Sequence, residues 1–237
     1  MDKEQVLSEI RKDFDKAVDL GYKEGSYRYF KEQIRPLGVR LPEVRRITVK
    51  YYSLLKKEWK FEDFVSLSEG LLRDGWFEET AMAFGILENF SDQFDEESFR
   101  LFESWLKKYI SNWAHCDEMS NHLIGSCVEN RPKLLKNLLS WTCSKNRWVR
   151  RSSAVSLVLP ARRGLFLAEI FEISEKLMAD DDDLVQKGVG WLLKEASKKH
   201  EVEVVRFLLK WRGKTSRVVL RYATEKMSAR NRKFVLV

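Results

Sequence analysis

Two tryptophans, one carboxylate and a set of cations carry the chemistry open to this sequence. Trp113 and Asp117 are four residues apart, a spacing that puts both side chains on one face of a helix. Met119, Leu123, Ile124 and Cys127 take the core side of that helix. Asp117 is then either available to a cleft or a helix-start carboxylate favoured by the dipole. A second tryptophan, Trp191, lies on a line with Lys187, Lys194 and Lys198, because positions i−4, i+3 and i+7 share a helix face. Gly188 and Gly190 flank it, which removes side chains that would shield the indole. A flat ring in a row of cations suits a ligand with negative charge and stacked rings, which describes nucleic acid. The competing reading is a tryptophan packed on a neighbouring helix with lysine stems draped over it. Arg147, Arg150 and Arg151 open another helix. Cations at a helix N-terminus oppose its dipole, so an anionic partner such as phosphate would compensate.

The elements that must position these residues are helices. Helical periodicity runs through almost the whole chain, and no segment shows convincing β alternation. The pattern predicts helices near 2–19, 26–34, 42–57, 61–73, 76–89, 95–109, 114–130, 132–140, 147–159, 165–178, 182–199, 201–211, 215–227 and 229–235. Pairs recur every 35 to 45 residues or so, the range of HEAT-type repeats. The expected fold is all-α: a curved solenoid of antiparallel HEAT-like helix pairs with a concave basic face. A compact helical domain is the alternative. No linker divides residues 1–237, so a single domain is expected.

Composition bounds the function. The net charge is +7, but residues 119–237 hold 24 Lys and Arg against 12 Asp and Glu, or +12, and residues 1–118 hold 19 against 24, or −5. The basic half is a candidate footprint for a polyanion. No apolar run reaches membrane-spanning length, and the charged N-terminus lacks a signal-peptide pattern. Three cysteines without CxxC spacing favour reduced thiols and a cytoplasmic location. GxxxxGK[ST], GxGxxG and HExxH are all missing, and His115, Cys116 and His122 do not complete a zinc site, so no metal or cofactor is expected.

The motifs together resemble the DNA alkylation-repair glycosylases of the AlkD type. The series runs from Asn112-Trp113-(x3)-Asp117 through Trp148-(x2)-Arg151 to Gln186-Lys-Gly-Val-Gly-Trp191-Leu-Leu-Lys194-Glu. Tyr29 ahead of Leu37-Gly-Val, Pro42-Glu-Val-Arg-Arg46 and Ser216-Arg-Val-Val-Leu-Arg-Tyr222-Ala extend the match over nearly the whole chain. The resemblance implies hydrolysis of the N-glycosidic bond of cationic purines such as 3-methyladenine and 7-methylguanine, with the lesion left in the duplex. It implies Asp117 as the catalytic carboxylate and Trp113 and Trp191 as contacts to the lesion nucleotide. Arg151 corresponds to a phosphate-binding arginine and Tyr29 to an aromatic near the DNA backbone. Arg147, Arg150, Lys187 and Lys194 complete the expected DNA contacts.

Two departures stand out. Asn112 occupies a position where the family often has tryptophan, and Lys194 one where it often has arginine, which loses the planar bidentate fork. The expectation is a monomeric cytoplasmic enzyme that acts on alkylated duplex DNA, associated with the nucleoid when bound. A non-catalytic DNA-binding relative and a helical-repeat protein scaffold are the rivals.

Overall fold

The computed structural model describes residues 2–237, and among them there is no strand, only an isolated antiparallel bridge between Val18 and Val39. The α-helices are α1 Lys3–Lys16, α2 Leu20–Ser26, α3 Leu41–Leu55, α4 Phe61–Arg73, α5 Phe77–Leu87, α6 Glu96–Tyr109, α7 Trp113–Met119, α8 Gly125–Asn130, α9 Leu135–Trp141, α10 Arg147–Val155, α11 Val158–Arg162, α12 Leu167–Leu177, α13 Asp183–Trp211, α14 Arg217–Ala223 and α15 Ala229–Leu236. No helix is long and apolar enough to cross a membrane among the described residues.

The described chain divides into two compact units, one of residues up to 93 with 108–118, the other of 94–107 with 119–237. The boundary crosses the sequence three times and never at a Pro- or Gly-rich linker, which is why the sequence reads as undivided.

In the first unit α1 starts with a reciprocal cap. Asp2 Oδ1 accepts the Gln5 N–H at 2.9 Å and Gln5 Oε1 accepts the Asp2 N–H at 3.3 Å. Its apolar face, Val6, Leu7, Ile10 and Phe14, is buried. Helix α5 is the centre, with α3 and α4 packed against it. The largest departure from the sequence reading lies between α1 and α3. The helix expected over 26–34 is instead α2 followed by a short 3-10 turn, Tyr27–Tyr29, and then an extended stretch to residue 40. A buried carboxylate explains the extended part. Glu78 accepts the N–H groups of Leu37 at 2.7 Å, Gly38 at 2.9 Å and Val39 at 3.0 Å, which replace helical hydrogen bonds.

In the second unit α10, α11, α12 and α14 all pack on α13. The helices expected over 182–199 and 201–211 run on as one element, with non-helical backbone only at His200 (φ −135°, ψ 49°). The His200 ring pairs with the Gly164 carbonyl at 3.1 Å and holds this kink.

Candidate functional site

The first unit holds Trp113 and its surroundings. Asn112 caps α7: its Oδ1 accepts the His115 N–H at 3.0 Å and its carbonyl accepts the Cys116 N–H at 3.2 Å. Asn112 Nδ2 donates to His115 Nδ1 at 2.9 Å, so the ring proton sits on Nε2 and is donated to the Phe77 carbonyl at 3.0 Å. Burial pushes the His115 pKa down to about 4. The imidazole is thus neutral and has both nitrogens engaged.

Rings continue the chain of contacts outward. Phe77 lies 4.4 Å from His115, Phe30 meets Phe77 edge-on at 5.4 Å, and Phe30 stacks on Trp113 at 5.2 Å with 17° between planes. Trp113 is half-buried, and so is Asp117 one turn on. A cavity of about 220 Å³ opens beside Trp113, walled by Tyr22, Tyr29, Phe30, Leu41 and Phe77. Tyr29 is 76% exposed. The structure therefore brings Trp113 and Tyr29 to one cavity. Asp117 follows Trp113 on α7 but is not part of that wall.

Sequence reasoning missed Phe30, Phe77 and Glu78 entirely. It treated Asn112 only as a departure from a pattern, although Asn directly before a helix is a legible cap signal. Gly38 lies at φ 100°, and a Cβ there would come within 2.9 Å of the Asp19 carbonyl oxygen, so the Leu37-Gly-Val motif records a close backbone approach.

The second unit holds Trp191 and the expected DNA-binding cations. Trp191 is half-buried on α13, with no aromatic or cation–π contact among the described residues. Its lysine row is not bare. Lys187 pairs with Asp183 at 3.1 Å, Lys194 with Glu225 at 3.3 Å and Lys198 with Glu195 at 2.6 Å. The flanking glycines serve helix packing rather than exposure of the indole. A Cβ on Gly190 would lie 2.5 Å from Tyr222 Cβ, and one on Gly188 would lie 3.4 Å from Arg151 Cγ. Gly190 thus lets α14 close on α13.

The arginine cluster also has partners within its own unit. The acids that compensate its helix start come from the Asp180–Asp183 run: Arg147 meets Asp182 at 2.7 Å, and Arg150 meets Asp180 at 2.7 Å. Arg150 also donates to the Ser144 carbonyl at 2.9 Å. Arg151 is buried and donates to the Leu184 carbonyl. The Asp180–Asp183 run thus balances Arg147 and Arg150.

An all-helical protein, with a capped tryptophan–aspartate helix start in one unit and a second tryptophan on the central helix of the other, matches a known class. A family model described as DNA alkylation repair enzyme matches residues 10–227, and the chain belongs to that family. Among solved structures it is similar to a predicted DNA alkylation repair enzyme from Enterococcus faecalis, with 16% identity and a TM-score of 0.75 over 87% of this chain and 94% of that one. It is similar to AlkD2 from Streptococcus mutans, with 19% identity and a TM-score of 0.67 over 96% of this chain and 100% of that one. It is also similar to smu.31 from Streptococcus mutans UA159, with 18% identity and a TM-score of 0.60 over 79% of this chain and 93% of that one. At these identities the likeness establishes the helical fold. No curated protein matches the sequence.

Proposed function

We propose that the protein is a DNA glycosylase that releases cationic N3- and N7-alkylated purines, 3-methyladenine and 7-methylguanine among them, from duplex DNA. The observation that carries this reading is the presence, in a DNA alkylation repair family member, of Trp113 and Asp117 one turn apart on a capped helix start.

Alkylation at N3 or N7 makes the base cationic and a good leaving group. Its departure builds positive charge on the deoxyribose. The Asp117 carboxylate stabilises that charge and orients the attacking water, a role preorganised by the Asn112 cap. The indole face of Trp113 attracts the cationic base or sugar, at about 0.5–2 kcal/mol. With the leaving group already activated, no general acid is needed. This accords with His115, whose nitrogens are both taken and whose ring stays neutral near pH 7. The enzyme acts as a monomer in the cytoplasm and needs no cofactor.

The test is incubation with duplex DNA treated with a methylating agent, followed by chromatography of released bases. Free 3-methyladenine and 7-methylguanine are expected. Duplex binding without base release would mark the protein as a passive DNA-binding relative.

A further inference from the structure

The kink at His200 also divides the charge. Residues 201–237 hold ten Lys and Arg (Arg206, Lys210, Arg212, Lys214, Arg217, Arg221, Lys226, Arg230, Arg232, Lys233) against three acids, Glu201, Glu203 and Glu225, a net of +7. The 200 residues before them hold 43 − 10 = 33 basic and 36 − 3 = 33 acidic residues, a net of zero. The whole net positive charge of the chain thus lies in its last 37 residues.

All ten of these cations are exposed. Among the described residues only Lys226 has a carboxylate within ion-pair distance, Glu225 at 3.8 Å. Two of the three acids of the segment are otherwise committed: Glu201 accepts from the Ser228 and Asn231 side chains, and Glu225 also takes Lys194, while Glu203 is exposed. Nine like charges without a partner acid, on the end of α13, the loop after it, α14 and α15, repel one another, a cost that a polyanion would relieve. They are also gathered around a shaped surface. A groove of about 900 Å³ between the end of α13 and α15 is lined by Arg212, Arg230 and Lys233, with Val205, Phe234 and Val237 as its apolar part. Phe234 is 57% exposed there. Cations spaced beside an exposed ring fit the alternating phosphate and sugar of a nucleic-acid backbone.

We infer that residues 201–237 form a sequence-independent DNA-backbone grip, centred on the α13–α15 groove, whose lining includes neither Trp113 nor Trp191. The inference rests on the proposed function for its choice of DNA as the polyanion. Lesion recognition needs residence on undamaged duplex before a lesion is met, and counterion release at such a patch supplies affinity without base readout.

The experiment titrates the full chain with fluorescein-labelled undamaged duplex at several salt concentrations, with anisotropy as the readout. R230Q/K233Q is compared with K57Q/R73Q, which removes the same charge from exposed positions of the first unit. R230Q/K233Q should flatten the slope of log affinity against log salt by about two units, while K57Q/R73Q leaves it near wild type. Circular dichroism checks that both fold. Equal slopes for the two variants would overturn the inference. So would wild-type binding to equimolar phosphatidylserine–phosphatidylcholine vesicles without binding to duplex. Base release is not measured here, so a lost glycosylase activity and a lost backbone grip register in separate experiments.

Discussion

Two groups of cations in the second unit have opposite fates. Arg147, Arg150, Arg151, Lys187 and Lys194 belong to the motifs expected to do chemistry, yet none is exposed and each has an acceptor in the chain. The ten cations after His200 were not singled out as DNA contacts, although Arg217 and Arg221 lie in the Ser216–Ala223 motif, and all are exposed. A cation that is fork-bound to a carboxylate on a neighbouring helix holds helices together, and its charge is already balanced. Nine of the ten cations after His200 have no partner acid among the described residues, and the proposed backbone grip rests on that charge.

The strongest test of that contrast is Arg150→Ala. Asp180, only 7% exposed, would lose its cation, and breaking such a pair costs about 3 kcal/mol or more. Urea denaturation should show that loss, while the salt slope of duplex binding stays at the wild-type value. A flattened slope with intact stability would put Arg150 on phosphate and erase the contrast.

The same division between engaged and available groups applies to His115. Its pKa falls from the ordinary 6.5 to about 4 on folding, so between those values the unfolded chain takes up a proton that the folded one does not. Its contribution is fully present above pH 6.5 and is lost as pH falls toward 4. The loss amounts to roughly 3 kcal/mol. The stability difference between wild type and His115→Gln should therefore shrink by about that amount from pH 7 to pH 4. A constant difference would mean that the ring is not buried neutral.

Glu225→Gln should have the smallest effect. It releases Lys194 and Lys226 from their shared acid, so duplex affinity should rise by roughly threefold at low salt, a gain of the size of a surface pair. Weaker binding would show that Glu225 orients these lysines rather than masking them.

Much of this was legible in the sequence, for reasons visible at particular residues. Leu184, Val185, Val189, Leu192, Leu193 and Ala196 read as the apolar stripe of α13; the last five are buried and Leu184, in the first turn, is half-buried, because a 3.6-residue period survives any choice of partner while the helix start stays near solvent. The turn from Asn112 into Trp113 and Asp117 was located for the same local reason. Pairings between distant residues were not legible. Asp180–Asp183 read as a helix-start signal, and Asp182 does cap α13, but nothing local says that the same acids reach back to Arg147 and Arg150. Glu78, a first-turn acid of α5, holds the non-helical segment before α3 by accepting the N–H groups of Leu37, Gly38 and Val39 some forty residues earlier, a pairing no local pattern announces. Gly190 read as an opening beside Trp191 because its neighbour, Tyr222, is supplied only by the tertiary fold.

The most direct measurement is single-turnover release of 7-methylguanine from a methylated duplex by wild type and Asp117→Asn, with duplex affinity measured alongside. The amide keeps the shape of the side chain and removes the charge that opposes the sugar cation. The account predicts a rate lower by about 10²–10³ with affinity unchanged. Release of the base by Asp117→Asn at the wild-type rate would contradict it.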